Sequence, residues 1–143
     1  MEGVLFTPLR RIPTPGGDVR HGLKASDVSF AGFGEAYFSS VEGGAVKGWK
    51  RHTRMTLNLV VPVGEVRFLV RSDAGEARAY QLSPDRAESY GRLTVAPRLW
   101  MAFGGVGGGL NLLLNVASIE HDPTEAENRP VDAMPWSWTG DEA

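Results

Sequence analysis

The 143-residue sequence contains no cysteine. Disulfides, thiolate nucleophiles and cysteine metal sites are therefore excluded, and the composition fits a reducing, cytoplasmic compartment. No apolar run approaches the roughly 20 residues that a membrane-spanning helix needs, so no membrane partner is expected. The opening Met1-Glu2-Gly3 begins on an acidic side chain, with no apolar stretch and small-residue cleavage site behind it, unlike a secretory leader. Strong charge of either sign is also missing. Fifteen Lys and Arg against 17 Asp and Glu leave a net charge of −2, which provides no overall field for nucleic acid. Long helical patterns are hard to find.

What the sequence has in quantity is punctuation. Eighteen Gly and nine Pro break short apolar runs at intervals of roughly ten residues, the pattern of an all-β sandwich or barrel. The runs predict strands over Phe33–Val41, Ala45–Arg54, Met55–Val61, Glu65–Arg71, Ala77–Leu82, Gly91–Val95, Leu99–Phe103 and Leu110–Ser118. Eight short strands suit a jelly roll. A chain of this length is expected to form one domain: an extended arm over 1–30, rich in Pro and Gly, a barrel over 31–118 and an irregular tail over 119–143. The run Gly104 to Gly109 matches a phosphate loop only in composition, since no Gly-Lys-Ser/Thr ending follows, and it reads as a flexible hairpin.

Charge is unevenly placed along the chain. Lys47, Lys50, Arg51 and Arg54 stand within eight residues with His52 among them, whereas Glu120 to the C-terminus holds seven acidic residues and one Arg. The basic cluster is either a solvated edge or an anion pocket for phosphate. Period-two geometry over Ala45–Arg54 places Lys50, His52 and Arg54 on one face, with Trp49 and Arg51 on the other. In Leu110–Ser118 the same alternation groups Asn111, Leu113, Asn115 and Ala117, so the two amides either line a polar cavity or are buried structural groups.

Taken together, Phe33-Gly34-Glu35-Ala36-Tyr37-Phe38-Ser39, Lys47-Gly48-Trp49-Lys50-Arg51-His52, Val63-Gly64-Glu65-Val66, Tyr90-Gly91-Arg92-Leu93-Thr94-Val95, Leu99-Trp100-Met101-Ala102-Phe103 and Glu120-His121-Asp122-Pro123 resemble the dTDP-4-dehydrorhamnose 3,5-epimerases and related sugar-nucleotide cupins. The resemblance runs from about Asp18 to Trp138. It implies a cupin-type jelly-roll barrel (a double-stranded β-helix), usually a homodimer, in which an N-terminal arm before about Ser26 reaches the partner's nucleotide pocket. It also implies an isomerase or epimerase acting on a nucleotide-linked 4-keto-6-deoxy sugar, by proton abstraction next to the carbonyl, in deoxysugar or surface-polysaccharide synthesis.

In that family a His abstracts the proton and a Tyr on a later strand is the opposing acid. Here the base position falls on Lys50, the Tyr position falls near Asn115, and the nearest carboxylate to support the base is Asp132. His52 matches the second His of the related ketoisomerases. The catalytic candidates are thus Lys50, His52 and Asp132, with Arg20, His21, Lys47, Arg54, Asn58, Asn111 and Asn115 as substrate-binding candidates. Either Lys50 is the base, its free pKa of about 10.4 lowered by neighbouring cations, or His52 is the base and Lys50 steadies the enolate oxygen. The alternative is a non-catalytic sugar-nucleotide or carbohydrate-binding cupin that has lost its base.

No metal and no other cofactor are expected. A metal-binding cupin carries His-x-His, a Glu a few residues on and a third His on a later strand. Lys50, Leu57, and Met101 or Ala102 occupy three of those four positions, while His21 and His121 are isolated in the sequence.

Overall fold

The computed structural model describes residues 1–140, so the last three residues of the expected tail lie outside the described part. Among the described residues there are twelve strands, two single-turn 3-10 segments and no α-helix, hence no helix long and apolar enough to cross a membrane. The strands are β1 (Val4–Pro8), β2 (Arg11–Thr14), β3 (Gly17–Arg20), β4 (Glu35–Ser40), β5 (Val46–His52), β6 (Leu57–Val63), β7 (Val66–Arg71), β8 (Ala77–Leu82), β9 (Gly91–Val95), β10 (Trp100–Gly105), β11 (Leu112–Ala117) and β12 (Ala126–Arg129).

They form two antiparallel five-stranded sheets, β1-β9-β6-β11-β4 and β12-β5-β10-β7-β8, with β2–β3 as a separate hairpin. From β4 to β11 the chain passes repeatedly from one sheet to the other, which is the jelly-roll path, and the two sheets remain separate ladders. All eight expected strands are present, with ends moved by at most a few residues. One of these shifts bears on the site: at Ala45–Arg54 the pairing stops at His52 and leaves Arg54 in the corner beyond β5.

Alternation explains which side chains make the core. Leu57, Leu59 and Val61 of β6, Leu93 and Val95 of β9, and Leu113 and Ala117 of β11 meet Val66, Phe68 and Val70 of β7 and Met101 of β10 between the sheets. The second sheet is covered on its outer face as well. There Trp49, Leu69, Trp100 and Ala102 pack under Met134 and Trp136 of the C-terminal segment. That segment is buckled down by side chains that donate to its carbonyls: Trp49 Nε1 to Val131 O (3.1 Å), Arg67 Nε to Ser137 O (2.8 Å) and Arg71 to Pro135 O (3.1 Å). Gly104 makes this possible, because a Cβ there would lie 2.7 Å from the rings of Trp136 and Trp138.

Both chain ends are more regular than an arm and a tail. β1 pairs with β9 of its own chain over five residues, from Val4↔Val95 to Pro8↔Gly91. β12 adds to the edge of β5, from Ala126↔His52 to Arg129↔Trp49. The sequence Ala-Glu-Asn-Arg carries no apolar alternation because β12 is an edge strand whose side chains are largely solvated.

The run Gly104 to Gly109 is a crossover and not a hairpin, since β10 and β11 belong to different sheets. Asn111, 1% exposed, pins it: the amide donates to Val41 O (3.1 Å) and Gly107 O (2.8 Å), and its carbonyl accepts from Glu65 N (2.9 Å). Replacing Asn111 by Ala strands these buried backbone groups, at about 1–3 kcal/mol for such a loss. The expected outcome is a lower urea midpoint with an unchanged slope, measured by equilibrium unfolding.

Candidate functional site

β5 sorts its side chains as its alternation requires. Trp49 is 1% exposed in the outer cluster. Arg51 lies 4.8 Å from the Trp100 ring centroid and pairs with Asp73 (2.6 Å) and Glu127 (2.8 Å). Lys50 and His52 face the other way and border a cavity of about 270 Å³ between the sheets. Lys47 borders it too, although strict alternation would send it to the opposite face from Lys50. The cause is a bulge: Met101 pairs with Lys50 and Phe103 with Lys47, so Gly48-Trp49 together oppose the one residue Ala102. The Lys47 ammonium sits 5.8 Å from the Phe103 ring centroid.

The floor of this cavity is apolar, made by Leu57, Leu59, Met101 and Leu113, and its opposite wall carries Tyr37, Ser39 and Asn115 from β4 and β11. Among the described residues, no carboxylate lies within ion-pair distance of Lys47 or Lys50. The cavity thus presents two uncompensated cations at an apolar chamber, a combination suited to an anionic ligand with a compact, partly apolar end.

His52 is held by a carboxylate that the sequence did not single out. Its Nδ1 contacts Glu125 Oε1, with the two side chains 11% and 2% exposed. Glu125 Oε2 accepts from the backbone N–H groups of Thr53 (3.2 Å), Arg54 (3.1 Å) and Met55 (3.3 Å), and Thr53 Oγ1 donates to the Glu125 carbonyl (2.7 Å). A carboxylate on Nδ1 assigns the proton to that nitrogen and leaves the Nε2 lone pair as the available base. Burial pushes the Glu125 carboxyl up, but the hydrogen bond from His52, those from the Arg54 and Met55 amides and the His52 charge outweigh it, so the group stays below the usual glutamate value.

The other candidates are dispersed. Asp132, expected to support the base, lies exposed in the 3-10 turn Val131–Ala133, away from this cavity; Glu125 takes that place because β12 lays its N-terminal end against the β5–β6 corner. Arg54 is exposed and paired with Asp122 at 3.1 Å. Arg20 caps the hairpin through Asp18 (3.2 Å), and His21 lines a small surface cleft beside Arg10 and Lys24. Asn58 turns to the outer face of its sheet, donating to Ser29 O (3.1 Å) and accepting from Thr94 Oγ1 (2.6 Å). Asn111 is the loop anchor already described. Asn115 alone of the three amides borders the cavity; its Oδ1 accepts from Asn58 N (3.3 Å) and its Nδ2 donates to the Tyr37 hydroxyl (3.0 Å). Tyr37 and Ser39 also went unmarked as site residues, yet Glu35–Ser40 is a strand whose alternation places both on one face. Among the described residues, no three His, Cys, Asp or Glu side chains converge as a metal site.

The Glu125 geometry makes stability depend on pH. A carboxyl lowered by folding contributes stability above its unfolded value of about 4.5, and that contribution is lost as pH falls through the lower folded value. Denaturant midpoints measured from pH 6 downwards are expected to drop in the native chain and to drop less steeply in Glu125→Gln, which has no such carboxyl to protonate.

No protein-family model matches the chain, and no curated protein does. Solved structures do. A dTDP sugar isomerase from Desulfovibrio desulfuricans G20 superposes with a TM-score of 0.89 and 36% identity, over 96% of this chain and 91% of that one. A sugar 3,4-ketoisomerase from Thermoanaerobacterium thermosaccharolyticum, in complex with TDP, gives 0.75 and 19% over 89% and 88%. A dTDP-4-dehydrorhamnose 3,5-epimerase from Sulfolobus tokodaii gives 0.80 and 14% over 95% and 82%. The last two are alike in fold. The first extends to more than a third of the residues along nearly the whole of both chains, and on it this protein belongs to the family of dTDP-sugar isomerases.

Proposed function

We propose that this protein isomerises a nucleotide-linked 4-keto-6-deoxy sugar by moving a proton at a carbon next to the carbonyl, with His52 as the base. The observation that carries this reading is the His52–Glu125 pair at the wall of a cavity that also holds Lys47 and Lys50. The Glu125 carboxylate orients the imidazole and steadies it once protonated, leaving Nε2 to take the proton. As the C–H bond breaks, its electron pair forms the enolate. The Lys50 ammonium beside His52 opposes the charge gathering on the enolate oxygen.

A chamber of about 270 Å³ suits a sugar ring, and its floor of Leu57, Leu59, Met101 and Leu113 suits a deoxy methyl group. The nucleotide then lies outside, with Lys47 and Lys50 near its diphosphate. The similarity to a dTDP sugar isomerase supports the same substrate class. A cytoplasmic setting belongs to this proposal, in keeping with the absence of cysteine.

The chain is also proposed to act as a homodimer. The outer face of the first sheet carries Phe38, 64% exposed and paired in register with Leu114, beside half-buried Leu112 and Val116, and Leu110 continues the patch at 58% exposure. A contiguous apolar patch on a sheet marks a self-association surface. β4 links the two features, with Phe38 on this face and Tyr37 at the cavity.

Two measurements check these points. In D2O the native chain is expected to wash deuterium into TDP-4-keto-6-deoxyglucose, and His52→Ala to slow that exchange by about 10²–10⁴-fold without unfolding; binding without any exchange would favour the non-catalytic alternative. Light scattering at micromolar concentration is expected to give twice the chain mass, falling to the chain mass in Phe38→Glu, and a native monomer would remove the dimer.

A further inference from the structure

We infer that Lys50 is a covalent catalyst: its amine condenses with the substrate's carbonyl to form an imine, and His52 takes the proton from the carbon next to it. The inference rests on the isomerase reading and deepens it, since Lys50 there acts through charge alone.

The chain is sparing with lysine. It has three, Lys24, Lys47 and Lys50, against twelve Arg, and two of the three border the cavity that holds His52. Among the described residues every ion pair to an Asp or Glu is made by an Arg or by His52, and none by a lysine. A cation needed only for its charge is thus Arg elsewhere in this protein. Arg stays protonated and cannot act as a nucleophile, whereas a lysine amine can give up its proton and bond to a carbonyl carbon.

Of the two lysines at the cavity, Lys50 is the one placed for this bond. The Lys47 ammonium is engaged over the Phe103 ring, 5.8 Å from its centroid. Lys50 shares a face of β5 with His52, two residues on, and side chains so spaced stand about 6.6 Å apart along a strand. An amine bonded to the carbonyl carbon therefore leaves the adjoining carbon between the two side chains, where Nε2 can take its proton. Met101 pairs with Lys50 in register, so the amine's neighbour across the strands is the apolar floor. Lys50 is exposed where it borders the cavity, and a sugar seated there covers it. Amine and carbonyl then meet at an effective concentration of about 10⁵ M or more.

The steps balance with water alone. The neutral amine, its surplus proton lent to solvent, adds its lone pair to the carbonyl carbon; the π pair moves onto oxygen, and a proton passes from nitrogen to oxygen. The lent proton returns as this carbinolamine loses water, leaving a protonated imine. His52 Nε2 takes the proton from the neighbouring carbon, the C–H pair becomes the C=C bond, and the C=N π pair settles on nitrogen. A neutral enamine forms where the direct route gives an enolate. Return of a proton to that carbon, addition of water and departure of the amine restore the carbonyl, its oxygen now drawn from water.

The test is incubation of the native chain with TDP-4-keto-6-deoxyglucose and sodium cyanoborohydride, which reduces an imine to a permanent amine, followed by mass spectrometry of the protein. The expected product is an adduct at the ligand's mass less one oxygen atom, on the peptide that carries Lys50. In ¹⁸O-water the recovered ligand is expected to gain label at its carbonyl faster than in protein-free solution. Lys50→Arg, with thermal melting as a fold control, keeps the positive charge and is expected to lose the adduct, the ¹⁸O uptake and the deuterium wash-in together. An adduct on Lys47 or Lys24 instead, or wash-in at the native rate in Lys50→Arg, would overturn the inference. Wash-in by the native chain with no adduct sinks the inference alone and leaves the isomerase reading standing; no wash-in sinks that reading and the inference with it.

Discussion

The Glu125 carboxylate is the constraint on which the site depends. It is 3% exposed, and a bare carboxylate at that depth would be expelled or protonated. It stays because the chain turning from β5 into β6 aims three successive peptide N–H groups at one of its oxygens while His52 takes the other. One acidic group therefore closes the corner between the two sheets, anchors the start of β12 and sets the tautomer of the imidazole. The same contact makes the fold and the chemistry hard to separate: whatever loosens the corner also frees the base.

The rest of the site follows from how β5 is paired. β5 is clamped between β10 and β12, with its outer side chains packed under the C-terminal segment. Trp49 and Trp100 thereby give β5 a rigid back, and Arg51 and Arg129 lie over the Trp100 face at 4.8 and 4.4 Å. The bulge at Gly48-Trp49 then turns Lys47 towards the cavity. Gly48 fits this place because an added Cβ would lie 3.0 Å from Arg129 O. The result is a division of labour across the strand, with packing on one face and cations with a base on the other.

Much of this was legible from local pattern. Alternation in Lys47 to His52 separates Lys50 and His52 from Trp49 and Arg51, and the structure has that separation. Alternation in Leu112–Ala117 places Leu113, Asn115 and Ala117 inside. Three things escaped the pattern. Lys47 needed the bulge, which depends on the register with β10. Arg54 needed the strand to run two residues further than its pairing allows. Asn58 and Asn111 are chemically like Asn115, yet one faces outward to Ser29 and Thr94 and the other pins the crossover after β10; nothing in a polar side chain's own neighbourhood says which partners its fold will bring.

By itself the sequence determined the eight strands between Phe33 and Ser118, the side of most of them that meets the core, and the family resemblance, because these rest on period-two spacing and on ordered local motifs; the strands at the two chain ends, β1 to β3 and β12, carry no such pattern. The tertiary structure alone decided which carboxylate serves His52. Glu125 and Asp132 both follow a proline in an acidic stretch and look equivalent in one dimension. They differ because Glu125 falls where β12 meets the β5–β6 corner and its unpaired amides, whereas Asp132 falls one turn beyond the strand's end, in solvent. That choice depends on antiparallel register across 73 residues of chain, a distance over which local spacing carries no information.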